Sequence, residues 1–427
     1  MNENDYVVPY AEKQLTLKFP ENTSVHVLKP NVKVSNVQFD LQSKCNEIFI
    51  KKNWNHLRDK FVLIVVNDAT RATPTEILLD FLVPFFKTMS IKYDFIIATG
   101  SHRKPRSDEL QSIFGKHYND KKDNIYIHDA KDESSLISIG ITSFNTEIKL
   151  NKLLFDKKYS TIVTINSIEP HYFAGWTGGR KSVVPGLAGY ETITKNHINA
   201  LSPESQNCRL KGNPVHDGLQ EGFDLFLEKI KNKFYTFQFV LDSKGTIHGL
   251  FAGNYSVYEK GVEFASKIFQ VPTKEEFDLI IAVAYPPLDQ DLYQAHKALE
   301  NSKPIINKSN KNHKSVFILL AGCKNGIGPD QFLVPFKTYA NLSFQDTMKE
   351  IANNYKLGFH KAGKILEAEQ YSEICLYSEL SPEKAAEAHF NSITGDINDF
   401  IAKTVARNEV KNIALILDAC VTVPILN

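Results

Sequence analysis

Cysteine is scarce and scattered in this chain of 427 residues. Cys45, Cys208, Cys323, Cys375 and Cys420 are odd in number, far apart and never in a C-x-x-C pair. That excludes a disulfide framework or a thiolate zinc site and fits a reducing compartment. An excess of one charge is missing too. Lys+Arg number 50 against 49 Asp+Glu, a net +1, so there is no global electrostatic footprint for nucleic acid or an anionic membrane, and neither is expected as a partner. No basic segment followed by an apolar one opens the sequence, so no signal peptide is read. The longest apolar runs, such as 61–66 and 316–321, fall far short of the ~20 residues a membrane-spanning helix needs. A cytoplasmic location is the expectation.

What is present is ordinary globular composition, 42% hydrophobic and 23% charged, with a length that favours two or more domains. The first sixty residues read as short strands and turns, with alternation at 15–19 and 25–28. From Lys60 a β-α rhythm sets in. Strands are expected at 61–67, 93–98, 124–128 and 160–166, and helices at 74–89 and 105–114, the second ended by Gly115. A second cycle begins near Glu276 with strands at 277–284, 316–321 and 412–417 and a helix over 293–299. The expected fold is α/β in two domains, each a largely parallel sheet flanked by helices, with a ligand cleft between them. The boundary is expected at 272–275, giving an N-terminal domain of 1–272, with 410–427 packing back on it, and a C-terminal domain of 275–408.

In such sheets ligands bind beyond the carboxyl ends of the strands. After the 61–67 strand come Asp68 and Arg71, close enough to orient one another, and arginine offers a planar fork for a carboxylate or phosphate. After 93–98 comes His102, a side chain suited to proton transfer near neutrality or to a metal. After 160–166 comes the richest segment, 169–197. It holds His171, Arg180, Lys181 and His197, and five of the chain's 21 glycines (Gly175, Gly178, Gly179, Gly186, Gly189) fall within fifteen positions. Such a loop lets backbone N–H groups approach an anion. It is nearly a Walker A loop, but Arg180 stands before Lys181 where that motif has glycine, and a P-loop NTPase is not expected. In the second domain Tyr293 and Lys297 are spaced to share a helix face, with Gln294 beside them.

These residues resemble the nickel-dependent lactate racemase family of 2-hydroxyacid racemases and epimerases. The resemblance rests on Asp68-x-x-Arg71, Thr99-Gly100-x-His102-Arg103, Pro170-His171 with Lys181 and His197 downstream, and Tyr293-Gln294-x-x-Lys297. It implies an isomerase carrying the nickel pincer nucleotide, a pyridinium-3-thioamide-5-thiocarboxylic acid mononucleotide, tethered to Lys181 by a thioamide and binding Ni(II) with His197 as the protein ligand. Asp68, Gly178, Gly179 and Gly186 are implied near the cofactor. His102 and His171 are implied as bases on the two sides of a 2-hydroxyacid that passes through a 2-keto acid. Arg71, Tyr293, Gln294 and Lys297 are implied at the substrate. Cofactor-maturation enzymes are the implied partners.

One departure bears on substrate. Lactate racemases of the family carry a tryptophan in the second-domain wall of the pocket. Here the tryptophans are Trp54 and Trp176, and the corresponding stretch is Gly358-Phe359-His360-Lys361-Ala362, so Phe359 or His360 is expected to line the site and the substrate need not be lactate. Three other readings stand beside this one: lactate racemase proper, a non-catalytic nucleotide- or anion-binding protein, and a zinc hydrolase, which lacks H-E-x-x-H and a cysteine pair.

Overall fold

The computed structural model describes residues 4–34, 39–51, 54–231, 233–309 and 313–427. They form two compact units, one of residues 32–265 and one of residues 1–31 with 266–427.

In the 32–265 unit the strand Phe61–Asn67 has five consecutive fully buried apolar residues, Val62 to Val66. A strand covered on both faces needs such a continuous run rather than an alternating one. It sits inside a six-stranded sheet whose order is Ile247–Gly253, Phe234–Leu241, Thr161–Ser167, Phe61–Asn67, Lys92–Ala98, Ile125–Ile127. Only the pair Phe234–Leu241 and Ile247–Gly253 is antiparallel. The chain runs outward from Phe61–Asn67 through Lys92–Ala98 to Ile125–Ile127, then crosses back to Thr161–Ser167 on the other side. The strand order therefore reverses between Phe61–Asn67 and Thr161–Ser167, where a crevice opens because the two following loops diverge. The helix Thr75–Thr88 covers one face with Leu78, Leu79, Leu82 and Phe86, and Pro74 precedes it rather than lying in its first turn. The helix Ser107–Phe114 ends at Gly115, where φ is 53°. The helix Pro214–Lys229 starts on Asn213, whose side chain accepts the N–H groups of Val215 and His216.

The other unit is built on a second six-stranded sheet, parallel throughout, in the order Asn391–Ser392, Ser372–Tyr377, Ser315–Leu320, Leu279–Val283, Asn412–Ile416, Ser24–Leu28. The α/β class with two largely parallel sheets is thus borne out.

The structure corrects the expected organisation at five places. The strand Asn412–Ile416 pairs with Leu279–Val283 and with Ser24–Leu28, so the last segment does not pack back on the first domain. The first 31 residues join the unit that follows residue 265, because their strand completes that sheet. The 272–275 stretch is not a linker either: Gln270–Thr273 is a strand paired in parallel with Val423–Leu426, and the division falls inside the helix Val257–Phe269. Leu41–Lys51 is a helix where only strands and turns were expected, since Leu41, Cys45 and Ile48 fall on one face and pack into the core. Finally, the single helix over 293–299 is two short ones, Leu292–Ala295 and Lys297–Ser302, meeting at His296.

Candidate active site

Beyond the carboxyl ends of Phe61–Asn67, Lys92–Ala98 and Thr161–Ser167 lies a cavity of about 120 Å³. Eight residues singled out in the sequence line it: Asp68, Arg71, His102, His171, Gly178, Lys181, Gly186 and His197. They come from the segments that follow these three strands, and the parallel sheet brings those segments to one edge.

Asp68 follows the first of these strands and is 6% exposed. Its Oδ2 lies 2.7 Å from His102 Nδ1. Its Oδ1 accepts the Thr70 N–H at 3.1 Å and the Thr70 hydroxyl at 2.6 Å. Burial pushes the Asp68 carboxyl up, but the hydrogen bonds from His102 and Thr70 and the Arg71 charge outweigh it and hold the group below its ordinary value. Asp68 therefore turns both oxygens to protein donors. Arg71 directs Nη1 to Glu169 Oε1 at 3.3 Å, so its guanidinium is held at the cavity wall by a carboxylate the sequence reading did not weigh.

His171 sits in a tight hairpin. Pro170–His171 pairs antiparallel with Gly175–Trp176, and the Ala174 N–H donates to His171 Nδ1 at 3.3 Å. The ring stacks on Tyr172 at 5.3 Å between centroids and meets Phe173 edge-on at 4.5 Å. Gly175 makes the hairpin possible: φ is 77°, and a Cβ there would overlap the Arg209 carbonyl oxygen.

The glycine-rich loop folds on itself. Gly179–Ser182 is a short 3-10 helix. The amides of Lys181, Val183, Val184, Gly186, Leu187 and Ala188 all donate to carbonyls within 178–185, and that of Gly179 donates to Gln238 Oε1 at 3.0 Å. These N–H groups are committed inside the protein and do not form the anion cradle that the glycine count suggested. Gly179 has φ of 56°, and a Cβ there would lie 2.8 Å from the Tyr258 ring, so its lack of a side chain serves packing. Gly179 does not line the cavity. Nor does Arg180, which is fully buried with Nη1 3.3 Å from the Tyr258 hydroxyl. Its Nε and Nη2 find no hydrogen-bond partner among the described residues.

Polar residues at the strand ends tie this loop down, and the sequence reading missed them. The Ser182 hydroxyl meets Asn67 Oδ1 at 2.8 Å and also the Asn166 side-chain oxygen. Buried His128 donates from Nε2 to the Ala188 carbonyl at 3.0 Å, and Gly100 N–H reaches the Gly186 carbonyl at 2.9 Å. The available signal was positional: Asn67 ends an otherwise apolar strand, and Asn166 stands one residue before the end of Thr161–Ser167.

His197 ends the helix Tyr190–His197. Burial, then the Lys181 charge, pushes its imidazole down to about 3, against a raising contact with the Ile193 backbone. A neutral imidazole is the form that can bind a metal. Among the described residues no three His, Cys, Asp or Glu side chains converge on one point suited to a metal ion.

The remaining predicted residues lie in the other unit. Tyr293 and Gln294 are partly exposed on Leu292–Ala295, whose N-cap is Asp291, and Lys297 opens the next helix. Phe359 and His360 are each 3% exposed on the helix Phe359–Glu369, with His360 Nδ1 2.7 Å from the Tyr355 hydroxyl. The neighbouring Lys361 was not anticipated. Its amine lies 3.8 Å from the Tyr293 ring centroid, donates to the Tyr293 carbonyl at 3.0 Å and is 3.2 Å from His296 Nδ1. Burial, then the Lys297 charge, moves it well below the ordinary lysine value.

A parallel α/β unit with two histidines, a lysine and a carboxylate–imidazole pair gathered at its strand ends defines a ligand-binding protein equipped for proton transfer. Residues 10–208 match the lactate racemase N-terminal domain family. Over 355 residues the chain is 28% identical to a lactate racemase of Thermoanaerobacterium thermosaccharolyticum, covering 81% of this chain and 80% of that protein. Over 297 residues it is 29% identical to a lactate racemase of Lactiplantibacillus plantarum, covering 68% and 65%. It shares the fold of the solved lactate racemase apoprotein from Thermoanaerobacterium thermosaccharolyticum, with a TM-score of 0.82 over 99% of this chain and 100% of that one at 23% identity. A Thermotoga maritima protein matches with a TM-score of 0.69 at 17% identity over 92% and 98%. The resemblance drawn from the motifs is borne out. Among the described residues no helix is long and apolar enough to cross a membrane.

Proposed function

We propose that this chain is an isomerase that inverts C2 of a 2-hydroxyacid through a 2-keto acid, using a nickel pincer nucleotide held by Lys181 and His197. The observation that carries the reading is the convergence of Asp68, Arg71, His102, His171, Lys181 and His197 on one cavity. The residues fit such a group. His197 is a half-buried imidazole, held neutral by desolvation and the Lys181 charge, on the same cavity as Lys181, and a single protein ligand suits a metal whose other donors come with the cofactor. The cavity, at about 120 Å³, is smaller than the ~300–1,000 Å³ of an ordinary ligand pocket, so it matches the reacting end of a mononucleotide rather than the whole.

When bound, the cofactor supplies a hydride acceptor at C2. The chain's own residues do the rest. Arg71 orients the substrate carboxylate with its planar fork. His102, backed by Asp68, takes the hydroxyl proton as the C2–H bond breaks, and His171 faces the same oxygen. Tyr293, Gln294 and Lys297 are assigned to substrate by the resemblance alone. A 2-hydroxyacid other than lactate is our reading of specificity, because no tryptophan occurs within 358–362.

The test is expression with the cofactor-maturation enzymes, followed by intact mass and a chirality-sensitive assay on lactate, malate, phenyllactate and aldonic acids. A sulfur-containing mononucleotide adduct is expected on the wild type and absent from Lys181→Ala, with interconversion of at least one acid besides lactate. A protein that carries no adduct and interconverts nothing would be the non-catalytic nucleotide binder instead. Turnover confined to lactate would overturn the specificity reading alone.

A further inference from the structure

Tyr293 and Lys297 are four residues apart, but they stand on two short helices that part at His296, so their spacing does not by itself aim Tyr293. Contacts from elsewhere in the same unit hold it. The Tyr293 N–H donates to the Ile327 carbonyl at 2.9 Å. Gly328 lets that turn come close, because a Cβ there would lie 2.9 Å from the Tyr293 Cβ. The Tyr293 ring meets Phe332 edge-on at 5.9 Å between centroids. The other anchor is Lys361, on the helix Phe359–Glu369. Its amine lies 3.0 Å from the Tyr293 carbonyl oxygen and 3.8 Å from the ring centroid, so one side chain grips Tyr293 by backbone and by ring.

The amine does this without a charge. His296 Nδ1 lies 3.0 Å from the same Tyr293 oxygen. A carbonyl oxygen can only accept, so Nδ1 carries its hydrogen and keeps no lone pair; a bare Nδ1 would set two acceptors against each other. Lys361 stands 3.2 Å from that nitrogen. An ammonium would meet it as donor against donor, whereas a neutral amine turns its own lone pair to the Nδ1 hydrogen. Burial, then the Lys297 charge, favours the same form. Lys361 is 3% exposed and Lys297 is partly exposed, which leaves the positive charge of the two amines to Lys297.

We propose that Lys361 is a positioning residue for substrate binding: it fixes the Tyr293 backbone and ring, and it sets affinity for the 2-hydroxyacid through Tyr293 rather than at the substrate. This rests on the functional reading above, which assigns Tyr293 to substrate. An aliphatic side chain could fill the same volume but could not donate to the carbonyl. A guanidinium could donate but would bring a permanent second charge near Lys297. A buried neutral amine does the first without the second.

The test is a double-mutant cycle on the matured enzyme, with whichever of lactate, malate, phenyllactate and aldonic acids it interconverts fastest. Lys361→Met is expected to raise KM about tenfold with kcat within about threefold of wild type. Tyr293→Ala is expected to raise KM at least as much, and adding Lys361→Met to it should leave KM within about twofold of Tyr293→Ala alone. Independent, multiplying effects, or an unmoved KM in Lys361→Met, would overturn the proposal. So would Lys361→Arg with the KM of wild type, since that variant cannot supply a neutral amine. One readout needs no turnover: NMR of the full chain with ring-labelled tyrosine, the Tyr293 signal assigned with Tyr293→Phe. That signal is expected to shift in Lys361→Met, or in Lys361→Gln should the methionine variant not fold, and an unchanged signal overturns the proposal. A wild type without racemisation refutes the functional reading, whereas the tyrosine spectrum still decides whether Lys361 holds Tyr293.

Discussion

Replacing Asp68 by asparagine changes one charge at a site with almost no room for other adjustments. In the wild type, Oδ2 takes the His102 proton at 2.7 Å while Oδ1 takes two donors from Thr70. Asparagine has one oxygen to offer. Thr70, with its N–H and hydroxyl, claims it, and the amide NH₂ turns toward His102 Nδ1. The imidazole must then accept at Nδ1, which moves its hydrogen to Nε2 and puts a donor into the cavity where a base belongs. Losing a hydrogen bond to a charged partner costs about 1.5–3 kcal/mol, and at about 1.4 kcal/mol per factor of ten that alone is about 10- to 150-fold. The wrong tautomer adds to it; in serine proteases the comparable change costs about 10⁴-fold. We expect kcat of the matured enzyme to fall by about 10²–10⁴-fold with KM little changed, because Asp68 does not hold the substrate. Chirality-sensitive turnover checks this, with circular dichroism to establish that the variant folds. Turnover within about threefold of wild type would refute the reasoning.

Gly179→Ala is expected to cost about 2–4 kcal/mol in urea denaturation, from a Cβ 2.8 Å from the Tyr258 ring and from φ of 56°; an unchanged midpoint would show that the loop yields. His216 provides a pH test. Burial, then the charges of Arg180 and Lys181, pushes its imidazole down to about 3, below the ~6.5 of an unfolded chain. The unfolded state therefore binds the proton first, so the contribution is complete above about pH 6.5 and is lost as pH falls toward 3, amounting to about 2 kcal/mol at pH 5. His216→Gln should flatten the stability curve between pH 6.5 and 4.5, and parallel curves for the two proteins would refute the assignment.

Much of the pocket-bearing unit was legible in the sequence because its central strands are continuous apolar runs. The strand Phe61–Asn67 is read to the residue and Lys92–Ala98 to within one. Parallel topology then puts whatever follows such strands at one edge, which is why Asp68, His102 and His171 could each be placed beyond a strand end before any coordinates. Other features have no local signature. Arg180 and Lys181 are neighbours in sequence, yet one turns inward under Tyr258 and the other faces the cavity. The glycines looked like a cradle for an anion, but whether an amide is free depends on carbonyls placed by the fold. Phe359 and His360 were aligned by position alone, and both side chains are buried. Pairing of residues 24–28 with 412–416 is a contact between the two ends of the sequence that no periodicity announces.

That pairing bears on the order in which the molecule can be made. Ser24–Leu28 leaves the ribosome before the strands that carry the cavity, and its partner Asn412–Ile416 leaves after all of them. A sheet that waits for so distant a strand closes late, since long loop closure must precede the contacts that reward it. Every strand that carries the cavity is drawn from residues 61–253. Domains fold as units during synthesis, so the cavity-bearing unit takes shape while Ser24–Leu28 is still unpaired.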